Sequence, residues 1–367
     1  MKIYKSIAVV TGVVLGALSG GVCAQAKAVK TRGDIVFSAR FYLKPNAKNV
    51  DAKSQFHLYR INADGSGKRQ ITFGAHDDAF PLWTRDGRKI IWVRDYDNLM
   101  QSDENGRNAT KLQDLQGADW DGLKLSPDGK TIGFMQHVAV AGGYADALRL
   151  LDLRTRKVVS IPNVAHYAWS RDNRFLALDD AKSGLRVLDL RTRKMRNVKV
   201  ENLGRFAWIS PTDLVATIQK TDKAGDMLGI ESFQIFNASG KLQTFKIAKT
   251  DGELADGRSF VTPIPNATST FTFVSDQSTS SGYNASYFRV SAISGQMTRL
   301  CKGQSFAWSP NGLRFLNVTY HDTTPYDTLP NGHKRLVYTT KLQVGTNERD
   351  LRDLVSGLVL VESADWR

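Results

Sequence analysis

FPLWTRDGRKIIWV, residues 80–93, places an apolar strand ending in tryptophan before a tight polar turn and a second apolar strand. The cassette returns as GLKLSPDG at 122–129, YAWSRDN at 167–173, FAWISPTD at 206–213, FVTPIPN at 260–266 and FAWSPNG at 306–312, with a truncated ADWR at 364–367. Aligned on their turns, Trp83, Leu125, Trp169, Trp208, Thr262, Trp308 and Trp366 are equivalent, at intervals of 42, 44, 39, 54, 46 and 58 residues. The mean period, about 47, suits a unit of four short strands. A sheet that small cannot bury both faces alone, so the units must stack on one another.

Each cassette is followed by the remaining strands of such a unit. Second strands read KIIWV at 89–93, TIGFM at 131–135, RFLALD at 174–179 and RFLNVTY at 314–320. Third strands run into charged or glycine-bearing turns, as in HLYRINADGSG at 57–67, LRLLDLRTRK at 148–157, LRVLDLRTRK at 185–194, FQIFNASGK at 233–241 and FRVSAISGQ at 288–296. Weaker fourth strands such as KRQIT at 68–72 and KVVSI at 157–161 complete them. The chain opens on IVFSAR at 35–40 with no cassette before it, and VLVESADW at 359–366 is a cassette strand with nothing after it. Joining the two removes the open edges of an array. The predicted fold is an all-β, seven-bladed propeller of four-stranded blades spanning 35–367, closed by the C-terminal strand on the N-terminal blade. Six blades is the alternative, because strand signals blur across 214–275.

IVFSAR, then LYRINADGSGKRQIT, then FPLWTRDGRKIIWV resembles the WD-like repeat of the TolB family and of propeller domains in prolyl oligopeptidase relatives. The resemblance covers about residues 32–367 and implies the repeat, not an activity. TolB proteins also carry an N-terminal α/β domain, and the peptidases a hydrolase domain with a Gly-x-Ser-x-Gly elbow. This sequence has no such elbow and only about eight residues between its exported start and first strand, so the expectation is the propeller part alone.

Lys2 and Lys5 precede a 12-residue apolar run at 7–18 and then Ala24-Gln25-Ala26, the pattern of a secretory signal over 1–26, with a short linker over 27–34. That run falls short of the roughly 20 apolar residues a membrane helix needs. The expected location is periplasmic or secreted, with no membrane span and a monomeric chain. Cleavage there leaves Cys301 as the sole cysteine, hence no internal disulfide. Fifty basic against 36 acidic residues give a net charge of +14, favouring an acidic partner. Export and the lack of aromatics interleaved with the basic residues argue against nucleic acid.

Antiparallel alternation puts first-to-second and third-to-fourth turns on one face, and second-to-third and inter-blade loops on the other. Insertions at 41–55, 137–147, 220–231, 276–287 and 321–334 all fall on the second face, the expected binding surface. It carries His76, Asp77, Asp78, His137, His166, His321 and Asp322, and the aromatics Tyr96, Trp120, Tyr144, Tyr167, Tyr283 and Tyr326, suited to a sugar or peptide platform. The repeated tryptophans read as packing between blades. No cofactor is called for. His76, His137, His166 and His321 could hold a divalent metal if their rings converged, although no metal-ligand spacing supports it. Some polysaccharide lyases resemble this arrangement in having a histidine-lined metal site on a seven-bladed propeller, a likeness of fold. The leading reading is a non-catalytic exported propeller that binds a protein or acidic envelope component. The alternative is a metal-dependent lyase or hydrolase acting on an anionic polysaccharide.

Overall fold

Seven four-stranded antiparallel sheets and one two-stranded hairpin make up the computed structural model. It describes residues 34–42, 55–115, 118–140, 143–180, 184–223, 227–237, 240–246, 260–279, 282–320, 326–328, 334–336, 338–357 and 359–367. Sheets two to seven are consecutive in sequence; the first combines Asp34–Phe41, His57–Asn62 and Arg69–Gln70 with Val359–Trp366 from the far end of the chain. Ile35 faces Trp366 and Phe41 faces Val359 across this closing pair, with one irregularity at Ser38/Ala39. The seven-bladed, self-closing ring expected from the cassettes is therefore the architecture. The proposed signal over 1–26 lies outside the described residues.

The cassette strands are Asp78–Trp83, Ala118–Leu125, Tyr167–Trp169, Leu203–Trp208, Phe260–Pro263, Ser305–Trp308 and Val359–Trp366. Each forms one edge of its sheet, and those of the first and second, fourth and fifth, fifth and sixth, and seventh and first sheets touch along the central axis. Between each pair of sheets sits a separate apolar core. One joins the first sheet to the second through Val36, Leu58, Ile90 and Trp92, and another joins the seventh to the first through Leu316, Leu342, Phe37 and Val361. The ring closes by burial as well as by hydrogen bonds.

The anchor tryptophans point back toward the preceding sheet. Trp208 stacks on Phe175 at 5.6 Å and donates to the Ala168 carbonyl at 3.1 Å. Trp308 donates to Thr272 Oγ1 at 2.8 Å, and Arg314 lies 5.6 Å from the Trp366 ring. The residue before each anchor turns toward the following sheet instead: Leu82, Ala168, Ala207 and Ala307 pack there. Alternation along a strand makes the two interfaces inevitable.

The insertions differ from expectation. Those of the third and sixth sheets are not irregular loops: Thr131–Val140 pairs with Gly143–Asp152, and Thr270–Thr279 with Gly282–Ser291, as long two-stranded ribbons. The fifth sheet behaves likewise with Leu214–Thr221 and Met227–Asn237, through two register shifts. In the seventh, Tyr326–Thr328 and Lys334–Leu336 form the separate hairpin. Extending an existing ladder satisfies backbone groups that a free loop would leave to water.

Candidate functional site

The turn face is occupied by its own chemistry. Ser126 Oγ donates to Asp128 Oδ1 at 2.7 Å, that carboxylate accepts from the Lys130 amide at 3.1 Å, and Thr131 N donates back to Ser126 Oγ at 3.0 Å. Ser170 with Asp172, Ser309 with Asn311 and Thr84 with Asp86 repeat the arrangement. A cleft of about 700 Å³ opens among these turns, where Ile264 and Pro265 of the sixth sheet meet Asn311 and Leu313 of the seventh, with Arg289 in its wall. Nothing in the local sequence marked this hollow, because turns from two sheets create it.

On the opposite face, the mouth of the ring is most elaborate where the first and second sheets meet. The turn after Lys89–Arg94 holds Asp95 and Tyr96 at φ 50° and 58°, consecutive left-handed residues where glycine or asparagine is usual. Asp95 earns this conformation by bonding: its Oδ2 lies 2.6 Å from His76 Nδ1 and its Oδ1 accepts from the Asp77 amide at 3.0 Å. Asp77 in turn accepts from the Phe56 amide at 2.7 Å and lies 3.6 Å from Arg40. Asp78 is fully buried, held by Trp92 Nε1 at 2.7 Å and by Arg94 through two bonds of 2.7 and 3.1 Å. Its role is to fix the corner.

Tyr96 is thereby carried to the axis. Its hydroxyl reaches Glu362 Oε1 at 3.5 Å, and Ser38 Oγ donates to Glu362 Oε2 at 3.3 Å. Burial, then the nearby Glu362 charge, pushes the Tyr96 phenol up to about 12. Burial likewise raises the Glu362 carboxyl. His57 is lowered by burial, against the opposing pull of Asp78 and Asp77, and its Nδ1 has no hydrogen-bond partner among the described residues. His76, Asp77, Asp78 and Tyr96 thus come together; Arg40, His57 and Glu362, which complete the cluster, all arrive from the first blade.

The other candidates are dispersed. His137 and Asp146 face each other across the third-sheet ribbon, 2.5 Å apart and well exposed. Tyr167 is buried between the third and fourth sheets, so close to Gly133 that a Cβ there would stand 2.8 Å from its hydroxyl. His166 is partly buried, with Nε2 3.1 Å from the Phe206 carbonyl and its ring against that phenyl. Burial, then Lys124 and Arg205, hold it well below the usual histidine value. Trp120, Tyr144, Tyr283 and Tyr326 lie on described strands whose side chains at those positions fall outside the description, and His321 and Asp322 lie outside the described residues altogether. Among the described residues no three His, Cys, Asp or Glu side chains gather as a metal ion requires. Cys301 is buried and its thiol is raised by that burial, so it is no nucleophile.

Two charged residues interrupt the cassette at the position before the anchor, Lys124 and Asp365, where the others are Leu82, Ala168, Ala207, Val261 and Ala307. Asp365 accepts from the Trp83 amide at 2.7 Å, and burial raises its carboxyl to about 6. The Lys124 ammonium lies 5.3 Å from the Tyr167 ring, lowered to about 8 by burial and then by Arg205. These exceptions to the repeat were the sequence signal for a polar axis.

No protein-family model matches the chain. A 133-residue segment is 26% identical to dipeptidyl-peptidase 5 of Porphyromonas endodontalis, covering 33% of this chain but only 19% of that enzyme. Among solved structures, TolB from Acinetobacter baumannii is similar at 15% identity with a TM-score of 0.53, covering 91% of this chain and 66% of TolB. Oligogalacturonate lyase from Vibrio parahaemolyticus aligns at 11% identity, TM-score 0.52, over 88% of this chain and 86% of the lyase. An oligogalacturonate lyase in complex with manganese aligns at 15% and 0.50, over 83% and 85%. The chain thus spans about a fifth of the peptidase and just under two thirds of TolB. At these identities the shared property is the propeller fold. No helix among the described residues is long and apolar enough to cross a membrane.

Proposed function

We propose that this chain is an exported, non-catalytic propeller that binds a protein, or an acidic component of the cell envelope, through its loop face. The observation that carries the reading is the Asp95-Tyr96 turn. Two non-glycine residues stay left-handed there and set a tyrosine beside Glu362 at the mouth of the axis. Backbone held in sparsely populated regions costs energy and persists where the surroundings enforce it, commonly at binding sites. On the turn face the left-handed non-glycine residues, such as Arg156, Asn173 and Arg193, stand singly, with no consecutive pair among the described residues. A net charge of +14 favours an acidic partner, and the fold shared with TolB is compatible with recognition. Export rests on residues 1–26 and predicts that protein recovered from the periplasm begins at Lys27.

The test is affinity capture of envelope proteins by wild-type chain, by Tyr96→Phe and Glu362→Gln, and by Leu313→Asp on the turn face. The expected outcome is a partner lost with the first two substitutions, at unchanged melting temperature, and retained with the third. A partner lost only with Leu313→Asp would overturn the reading.

The second reading, a metal-dependent lyase or hydrolase acting on an anionic polysaccharide, is favoured by the fold shared with the lyases and requires His321 or Asp322 to join His76, His137 or His166. A manganese-dependent rise in melting temperature, abolished by His321→Ala, together with cleavage of oligogalacturonate, would replace the first reading with this one.

A further inference from the structure

Three successive blades bring positive groups to one wall of the axis. Lys124 comes from Ala118–Leu125, Arg205 from Leu203–Trp208, and His166 sits immediately before Tyr167–Trp169 between them. Lys124 replaces the small or aliphatic residue that other cassettes place at an inter-sheet interface, and is half-buried against Tyr167. It makes no ion pair or hydrogen bond among the described residues. The Arg205 side chain, exposed on an axial strand, has among the described residues only the Ala165 carbonyl at 3.4 Å as a side-chain hydrogen-bond partner. Burial first, and then both cations, hold His166 in its neutral form, and among the described residues no carboxylate bonds to Lys124 or His166. The contrast with the first and second blades is direct: there Asp78 has Arg94, Asp77 has Arg40 and Asp95 has His76. Withdrawing the Lys124 ammonium from water near a second cation is unfavourable unless an anion joins them.

We propose that Lys124, Arg205 and His166 form a carboxylate-binding subsite in the wall of the axis, which takes an acidic side chain of a partner polypeptide. The guanidinium supplies a planar fork for one carboxylate, and the ammonium a second charged donor to it. His166 borders the subsite with its Nε2–H committed to the Phe206 carbonyl, so it shapes the wall and leaves the charged donors to Lys124 and Arg205. The polypeptide source rests on the function proposed above; the carboxylate chemistry does not.

The experiment is calorimetric titration of the full chain with a hexaglutamate peptide, and in parallel with glutarate, inorganic phosphate and trigalacturonate. Lys124→Met and Arg205→Gln are each expected to weaken hexaglutamate and glutarate about tenfold or more, the loss of a charged hydrogen bond, while Lys124→Arg retains most of the affinity. Arg205 is exposed, so its variant reports on binding even if Lys124→Met alters packing. Equal affinities in both variants and wild type would overturn the subsite. Tighter binding of phosphate than of glutarate would overturn the carboxylate assignment, and tighter binding of trigalacturonate than of hexaglutamate would overturn the polypeptide source. Glutarate binding that depends on Lys124, together with envelope capture indifferent to Tyr96 and Glu362, would uphold the subsite and discard the loop-face function.

Discussion

On the turn face, Thr84, Ser126, Ser170 and Ser309 hold the same hydrogen bonds in four different blades, whereas on the loop face the second blade ends in a strained two-residue turn and the third in a long ribbon. Repetition marks the side that builds the ring. Where blades depart from one another, the geometry is free to serve something other than stability. The same contrast runs along the axial strands. Six of the seven anchor positions keep large apolar side chains, Thr262 being the exception, while the position before them admits Lys124 and Asp365.

Removing 358–367 is the most drastic way to break this comparison, because it abolishes both faces. Val359, Val361 and Trp366 are buried, and losing each forfeits about 1.5–3 kcal/mol of apolar burial. The edge of Asp34–Phe41 is then left unpaired and open to another chain. Circular dichroism and light scattering should find an unfolded or oligomeric product; a monomer with wild-type melting would refute the closure.

Trp208→Ala keeps the ring closed but empties one interface, removing the stack on Phe175 and the bond to Ala168. Urea denaturation should register a loss of about 3–5 kcal/mol. A loss below about 1 kcal/mol, within the range of an ordinary surface substitution, would deny the anchors their structural role.

A pair of glycines then sets face against face. Gly312 has φ +69° on the turn face, and a Cβ there would stand 2.1 Å from the Pro265 carbonyl of the preceding blade. Gly74, in the connection to the second blade, has φ +105° and nothing within 4 Å. Both alanine variants incur backbone strain, but Gly312→Ala must also push two turns apart, so its destabilisation should be the larger, about 1–3 kcal/mol. Equal melting temperatures would mean the turns do not interlock.

The smallest effect is a pH dependence. Because Asp365 is raised to about 6 in the folded state, the folded chain takes up its proton first as pH falls. The group therefore adds stability on acidification through about 6 and withdraws it as pH rises again. Glu362 is raised too and acts in the same sense, while His166, held low, favours the folded state at higher pH. Asp365→Asn should leave the melting temperature less dependent on pH between about 4 and 7 than in wild type. An identical profile would place Asp365 in water.

Most of the ring was legible because each blade restates the cassette: strand, turn and anchor are local, and so is the unpaired VLVESADW that closes the first sheet. The ribbons were less so, since runs such as VAVAGGYADA at 138–147 combine strand formers with glycine, and only the partner strand decides which governs. The site was readable in fragments. His76-Asp77-Asp78 and Tyr96 stood out as polar residues at a loop, but Glu362 lies 266 positions from Tyr96, and Arg205 lies two blades away from Lys124. No spacing encodes such neighbours; the curvature of the ring does.

The mixed origin of the first sheet has a consequence for the order of events during synthesis. Its outer three strands are complete once residue 70 has been made, yet the strand that seals them ends at residue 366. Between those moments Asp34–Phe41 waits without its inner neighbour, and the second blade lacks the acceptor, Asp365, that its Trp83 amide will use. A pairing between such distant segments is slow to find, and the growing chain stays vulnerable to association at that edge until Val359–Trp366 has emerged.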